Sequence, residues 1–170
     1  MNKLSKFQRL WRHLFAGAWS TRRCFPAAVL TDIEAATKRC ESQHPGEIRF
    51  IVEAGLPVGD VLAGLTPRAR AVELFARYGV WDTEHNNGVL IYVLLADRDV
   101  EIVADRGVAG GRVPQSEWEN CCRIMETHYG AGRFSQGSVA GIEAVSTVLA
   151  KYPPERPDFG NELPDAPTVL

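Results

Sequence analysis

Eight consecutive residues, Gly88 to Leu95 (GVLIYVLL), carry no charge, and they constrain the fold more than any other stretch. A run of this length between polar loops suits a strand buried on both faces and is too short for a core helix. Ala96-Asp97-Arg98-Asp99 follows, rich in residues that turn the chain by hydrogen-bonding their own backbone. Val100 to Ala104 then reads as a second strand, shorter and less buried because it carries Glu101. Asp82, Glu84, Asn86, Asn87, Asp97 and Asp99 all lie close to these strand ends. Oxygen-rich loops at the rim of a buried sheet are where a small globular protein can place a site.

A strand buried on both faces needs a layer on each side, and the rest of the chain supplies the helices. Pro26 opens a helix over Ala27–Gln43, with Val29, Ile33, Ala36 and Cys40 on one stripe. Glu47 to Ala54 (EIRFIVEA) alternates as a strand: Ile48, Phe50 and Val52 on one face, Arg49, Ile51 and Glu53 on the other. Thr66-Pro67 caps a helix over Arg68–Tyr78. Two further helices, from Ser116 to about Tyr129 and from Ser135 to Ala150, close the domain. The sequence therefore predicts an α/β fold, a three-layer α/β/α sandwich. Its small mixed sheet has the first two strands parallel through a right-handed crossover and the third antiparallel.

Charge is unevenly placed. The first 31 residues hold Lys3, Lys6, Arg9, Arg12, Arg22 and Arg23 and no acid, leaving 13 basic against 21 acidic residues in the remainder. Within that basic segment, Leu4, Phe7, Leu10, Trp11, Leu14, Phe15 and Ala18 recur at helical spacing. Lys6, Arg9 and Arg12 lie on the other side of the same helix. Three occupants of the apolar stripe stay open: an anionic membrane surface, the protein's own domain, and a groove on a partner protein. Nucleic acid is not expected, because Phe7, Trp11 and Phe15 face away from the charges and form no stacking platform among them. Organisation follows as a basic amphipathic helix over 1–22, a domain over 25–151 and a Pro-rich, mostly disordered tail over 152–170.

No apolar run has the length of a signal-peptide core or of a membrane span, which predicts a cytoplasmic protein, peripheral at most on the inner membrane face. Cys24, Cys40, Cys121 and Cys122 lack C-x-x-C spacing and paired histidines, so reduced thiols are expected and a zinc centre is not. No Cys-x5-Arg loop, Walker-type loop or histidine pair marks a catalytic centre.

Four motifs in combination resemble the TPM domain family over about residues 45–150. They are the ELFARY run from Glu73, Asn86-Asn87-Gly88-Val89-Leu90, Asp97-Arg98-Asp99-Val100 and Asp105-Arg106-Gly107. The resemblance implies an α/β/α sandwich, Ca²⁺ binding in the acidic loops and, in some plant members, acid phosphatase activity. Parallel pairing of the first two strands would gather Glu47, Asp82, Glu84, Asn86, Asn87 and Asp105 at one rim. This set is the expected metal site, since Ca²⁺ takes six to eight oxygens. Glu53, Asp97 and Asp99 form a second candidate rim at the opposite end. The functional expectation is an accessory domain, tuned by Ca²⁺ and acting at the inner membrane surface. The alternatives are a divalent-metal phosphohydrolase, with Arg98 or Arg106 on phosphate, and a protein-interaction module without a ligand.

Overall fold

In the computed structural model, residues 6–109, 112–152 and 160–170 are described. The chain runs α1 (Lys6–Phe15), α2 (Ala18–Cys24), α3 (Ala27–Glu41), β1 (Glu47–Glu53), α4 (Val58–Ala63), α5 (Pro67–Arg77), β2 (Gly88–Leu94), β3 (Asp99–Ala104), α6 (Arg106–Ala109), α7 (Gln115–Gly130), α8 (Phe134–Lys151) and β4 (Thr168–Val169). The sheet order is β3-β2-β1-β4. β1 and β2 are parallel from Glu47↔Gly88 to Glu53↔Leu94. β2 and β3 form the expected antiparallel hairpin, from Val89↔Ala104 to Leu94↔Asp99.

The uncharged run becomes the centre of the sheet, and every residue of β2 is buried. Alternation splits it between two cores. Val89, Ile91 and Val93 join Ile48, Phe50 and Val52 of β1 under α3, α7 and α8. Leu90, Tyr92 and Leu94 join Ile51 under α4 and α5. Side chains alternate across a strand, so the two faces of one apolar run fill both layers of a three-layer sandwich. Local signals set the helix ends: Thr66 Oγ1 accepts the Ala69 N–H at 3.1 Å and Pro67 takes the first turn of α5. β3 alternates between buried and half-buried positions, with Glu101 at a half-buried one.

Three short helices, α2, α4 and α6, add to the predicted set, and the helix expected over 1–22 is divided between α1 and α2. The larger departure is at the C-terminus. Residues 153–159 lie outside the described residues, but 160–170 do not form a loose tail. Thr168 and Val169 pair with Ile51 and Val52 of β1, and the Leu170 N–H donates to the Val52 carbonyl at 2.9 Å. The cause is Arg49, only 8% exposed. Its guanidinium donates to the carbonyls of Pro164 (2.7 Å) and Ala166 (3.1 Å) and to Thr168 Oγ1. A buried cation with no carboxylate needs such acceptors. Leu163, 7% exposed, fills the adjoining core.

Candidate functional site

The parallel register places Glu47 beside Gly88 at the first rim, where several side chains already hold protein hydrogen bonds. Glu47, 3% exposed, accepts the Leu163 N–H at 3.1 Å. Asn87 donates its side-chain amide to the Pro45 carbonyl, and its backbone N–H donates to Thr83 Oγ1 at 3.0 Å. Asn86, in the left-handed region at φ 52°, accepts the Arg106 Nε–H at 3.0 Å. Asp82 and Glu84 are exposed, and the Glu84 backbone N–H donates to the Glu162 carboxylate. Gly107 packs so closely under the His85 and Asn86 carbonyls that a Cβ there would collide with both. Asp105 differs from the rest. Its Oδ1 accepts the Arg106 N–H at 2.6 Å, while Oδ2 is buried with no hydrogen-bond partner among the described residues.

As a metal cage, much of this set is taken up by protein partners. Among the described residues no three His, Cys, Asp or Glu side chains are gathered to hold an ion. Asn86 shares its oxygen with a guanidinium, and Glu47 faces the C-terminal segment. Beside Glu47, Glu41 accepts the Ile48 N–H at 2.7 Å. Burial pushes the Glu41 carboxyl up to about 9; the Ile48 hydrogen bond opposes the shift, and Asp165 and the Glu47 charge add to it. Asp165 belongs to the segment read from sequence as a tail, so the Glu41–Asp165 contact had no signal in the sequence.

At the second rim two of the three acids are neutralised from within. Glu53 accepts Arg70 Nε–H (3.0 Å) and Nη2–H (2.9 Å) and the Tyr92 hydroxyl (2.6 Å). Asp97 holds α1. Arg9 Nη2 stands 2.9 Å from Asp97 Oδ2 and also donates to the Leu65 carbonyl at 2.7 Å. His13 Nε2 is 3.0 Å from Asp97 Oδ1, and the Leu56 N–H donates to His13 Nδ1 at 2.8 Å. An Nδ1 that accepts leaves the ring proton on Nε2, so the imidazole donates to Asp97. Burial alone would raise the Asp97 carboxyl, but the hydrogen bonds from Arg9 and His13 outweigh it and hold the group below its ordinary range. Asp99 stands apart from this network. Burial first, then the charges of Glu101, Glu126 and Asp97, push it up to about 7.

This anchoring corrects the expectation for the N-terminal helix. Arg9 is not part of an outer face; it is the clamp to the domain, with His13 buried at 3% exposure and Leu10 packed on the α4–α5 core. The apolar stripe points the other way. Phe7 (66%), Trp11 (43%), Leu14 (55%), Phe15 (72%) and Trp19 (71%) are exposed. They form a continuous row, with Phe7 edge-on to Trp11 at 5.8 Å and Trp11 stacked on Phe15 at 5.3 Å. Lys6, Arg22 and Arg23 are exposed on the same two helices, and Arg23 lies over the Trp19 ring. Leu4 lies outside the described residues. No helix among the described residues is long and apolar enough to cross a membrane.

Comparison with known proteins agrees with this architecture. No curated protein matches the chain. Among solved structures, the chain is similar to the BA42 protein of the psychrophilic bacterium Bizionia argentinensis, with 31% identity and a TM-score of 0.69, over 85% of this chain and 94% of that one. It shares its fold with the N-terminal domain of a protein from P. gingivalis (20% identity, TM-score 0.61, 92% and 95% coverage). The family model described as the TPM domain matches residues 22–148, which is most of the chain and includes both rims and the central hairpin. The chain belongs to the TPM domain family.

Proposed function

We propose that this protein is an accessory TPM domain that works at an anionic membrane surface, with α1 and α2 lying in the headgroup region. One observation carries the reading: the exposed row Phe7, Trp11, Leu14, Phe15 and Trp19 sits on helices whose opposite edge is locked to the domain by Arg9 and His13. A helix that folded only to complete its own core would turn that row inward. Full burial of such a side chain contributes ~1.5–3 kcal/mol. These five are already partly covered, so inserting them contributes roughly 1 kcal/mol each. Lys6, Arg22 and Arg23 add ~1 kcal/mol apiece near an anionic surface. The sum supports reversible, salt-sensitive attachment.

Sedimentation with vesicles tests it. Vesicles containing phosphatidylglycerol should carry the protein down, neutral phosphatidylcholine vesicles much less, and the Phe7→Ala/Trp11→Ala/Trp19→Ala variant hardly at all. Equal binding by that variant, or no binding by the wild type, would refute the reading. A partner-protein groove would then become the better account of the row.

Divalent-metal binding at the Glu47 rim is a second reading, favoured by the buried Asp105 Oδ2, which has no hydrogen-bond partner among the described residues. Phosphohydrolase activity would depend on that metal and has no observation of its own.

A further inference from the structure

A cavity of about 660 Å³ opens where the C-terminal end of β2 meets α1, α2 and the end of α7. Its volume falls in the range of small-molecule sites, ~300–1,000 Å³. It lies outside the carboxyl end of one parallel strand, β2, the side of an α/β sheet on which ligands bind. Neither acidic rim contributes to it apart from Asp99.

Its walls combine two chemistries. Phe15, Val93, Leu95, Tyr129 and Phe134 make an apolar, largely aromatic lining, with Tyr129 and Phe134 stacked at 5.3 Å. Two arginines, Arg12 and Arg98, line the same cavity. Among the described residues neither guanidinium has a hydrogen bond or ion pair, whereas those of Arg9, Arg39, Arg49, Arg68 and Arg70 all do. Arg98 also holds a left-handed backbone, φ 55°, which a non-glycine residue adopts at a cost. Glycine or asparagine would relieve the turn, so a long cation at this position is set there against local preference.

We infer that this cavity binds an anionic amphiphile, a molecule with a phosphate or carboxylate head held by Arg12 and Arg98 and an apolar tail against the aromatic wall. Guanidinium recognises both heads through paired N–H donors. Asp99 and Glu126 also line the cavity, and burial pushes both carboxyls up. A carboxyl that keeps its proton donates a hydrogen bond to an anion instead of repelling it, and both shifts run in that direction. Glu126 has one oxygen engaged already, accepting the Val100 N–H at 3.3 Å. The permanently charged guanidiniums therefore set the sign of the site.

The inference is independent of membrane attachment, and the test separates the two. Dodecyl phosphate and dodecanoate, each below its micelle concentration, are titrated calorimetrically into the full chain, with dodecanol as the neutral control. Saturable one-to-one binding of the anions is expected. Arg12→Gln and Arg98→Gln should each weaken it about tenfold, and the double variant about a hundredfold, with unchanged melting temperature. The Phe7→Ala/Trp11→Ala/Trp19→Ala variant, which replaces no lining residue, should lose vesicle binding and keep most of its affinity for dodecyl phosphate. Failure of the wild type to bind either anion overturns the inference, as does equal binding of dodecanol or full binding by the double variant. Anion binding only in vesicle form would overturn it while leaving the membrane reading intact.

Discussion

Replacing Asp97 with alanine should release the N-terminal helix from the domain while leaving the sheet in place. Asp97 is the acceptor on which α1 converges: Arg9 Nε and Nη2 at 3.1 and 2.9 Å, and His13 Nε2 at 3.0 Å. A hydrogen bond to a charged group contributes ~1.5–3 kcal/mol net, and breaking a fully buried pair costs ~3–5 kcal/mol. The Asp97 and His13 side chains are 9% and 0% exposed, but Arg9 keeps 20% and rehydrates readily once unpaired. The cost should therefore fall near 2–3 kcal/mol, a factor of about 30–150 in the docking equilibrium. Native-state hydrogen exchange reads this directly. Amides of residues 9–15 should exchange faster by that factor while those of β2 stay protected, and trypsin should cut at Arg12 well before it cuts the domain. The pH dependence carries its own sign. The native Asp97 carboxyl lies below its ordinary value of 3.8, so its contribution is complete above that value and is lost only as pH falls through the lowered one. Docking should thus hold throughout the neutral range and fail in strong acid. Unchanged exchange in α1, or equal loss of protection in α1 and β2, would refute the clamp.

Two other substitutions probe the remaining acids. Asp99 is raised to about 7, so the native state binds a proton that the unfolded chain releases near 3.8. Its contribution is favourable at low pH and is lost as pH rises between those values. Glu101, Glu126 and Asp97 face it with negative charge and Arg9 with positive. Asp99 is half-exposed, so Asp99→Asn should stabilise the protein by only about 1–2 kcal/mol at pH 8 and hardly at all at pH 4; urea unfolding at both values checks it. Titration of chelator-stripped protein with Ca²⁺ should give at most weak heat, since Glu47, Asn86 and Asn87 are engaged elsewhere, and Asp105→Asn should remove whatever heat there is. Tight binding unaffected by that substitution would place a metal site somewhere other than Asp105.

The domain's layers were legible because its strongest signals are local and period-bound. Gly88–Leu95 has one stable use, and Thr66-Pro67 has one stable position at the start of a helix. Parallel pairing then follows from the helices between β1 and β2, and it brought Glu47 to the Asn87 rim as expected. Which side chains neutralise which acids was not legible. Glu53 meets Arg70, 17 residues away, whereas Asp97 meets Arg9 from a distance of 88 residues. Spacing in sequence carries no trace of such pairs. The acids were readable as acids, but their partners come from tertiary contact.

The two ends of the chain misled for opposite reasons, and together they show what this domain asks of its tails. Composition marked residues 152–170 as unable to build a core, which holds for a segment folding alone. Residues 160–170 need no core of their own. They supply carbonyls to a buried Arg49 and one apolar side chain, Leu163, to a core that already exists. Arg49 in the middle of a strand was the available signal, since a cation on the second face of a buried strand requires acceptors from somewhere. At the N-terminus the amphipathic stripe was read well, but its polarity was assigned the wrong partner. Arg9, on the side opposite the stripe, turns inward together with His13, which leaves the aromatics outermost. A charged edge turned inward needs a counter-charge in the fold, and Asp97 supplies it. The aromatic row turned outward has no such partner within the described residues, and the membrane surface we propose for it is an apolar phase whose charge would also suit Lys6, Arg22 and Arg23 beside it.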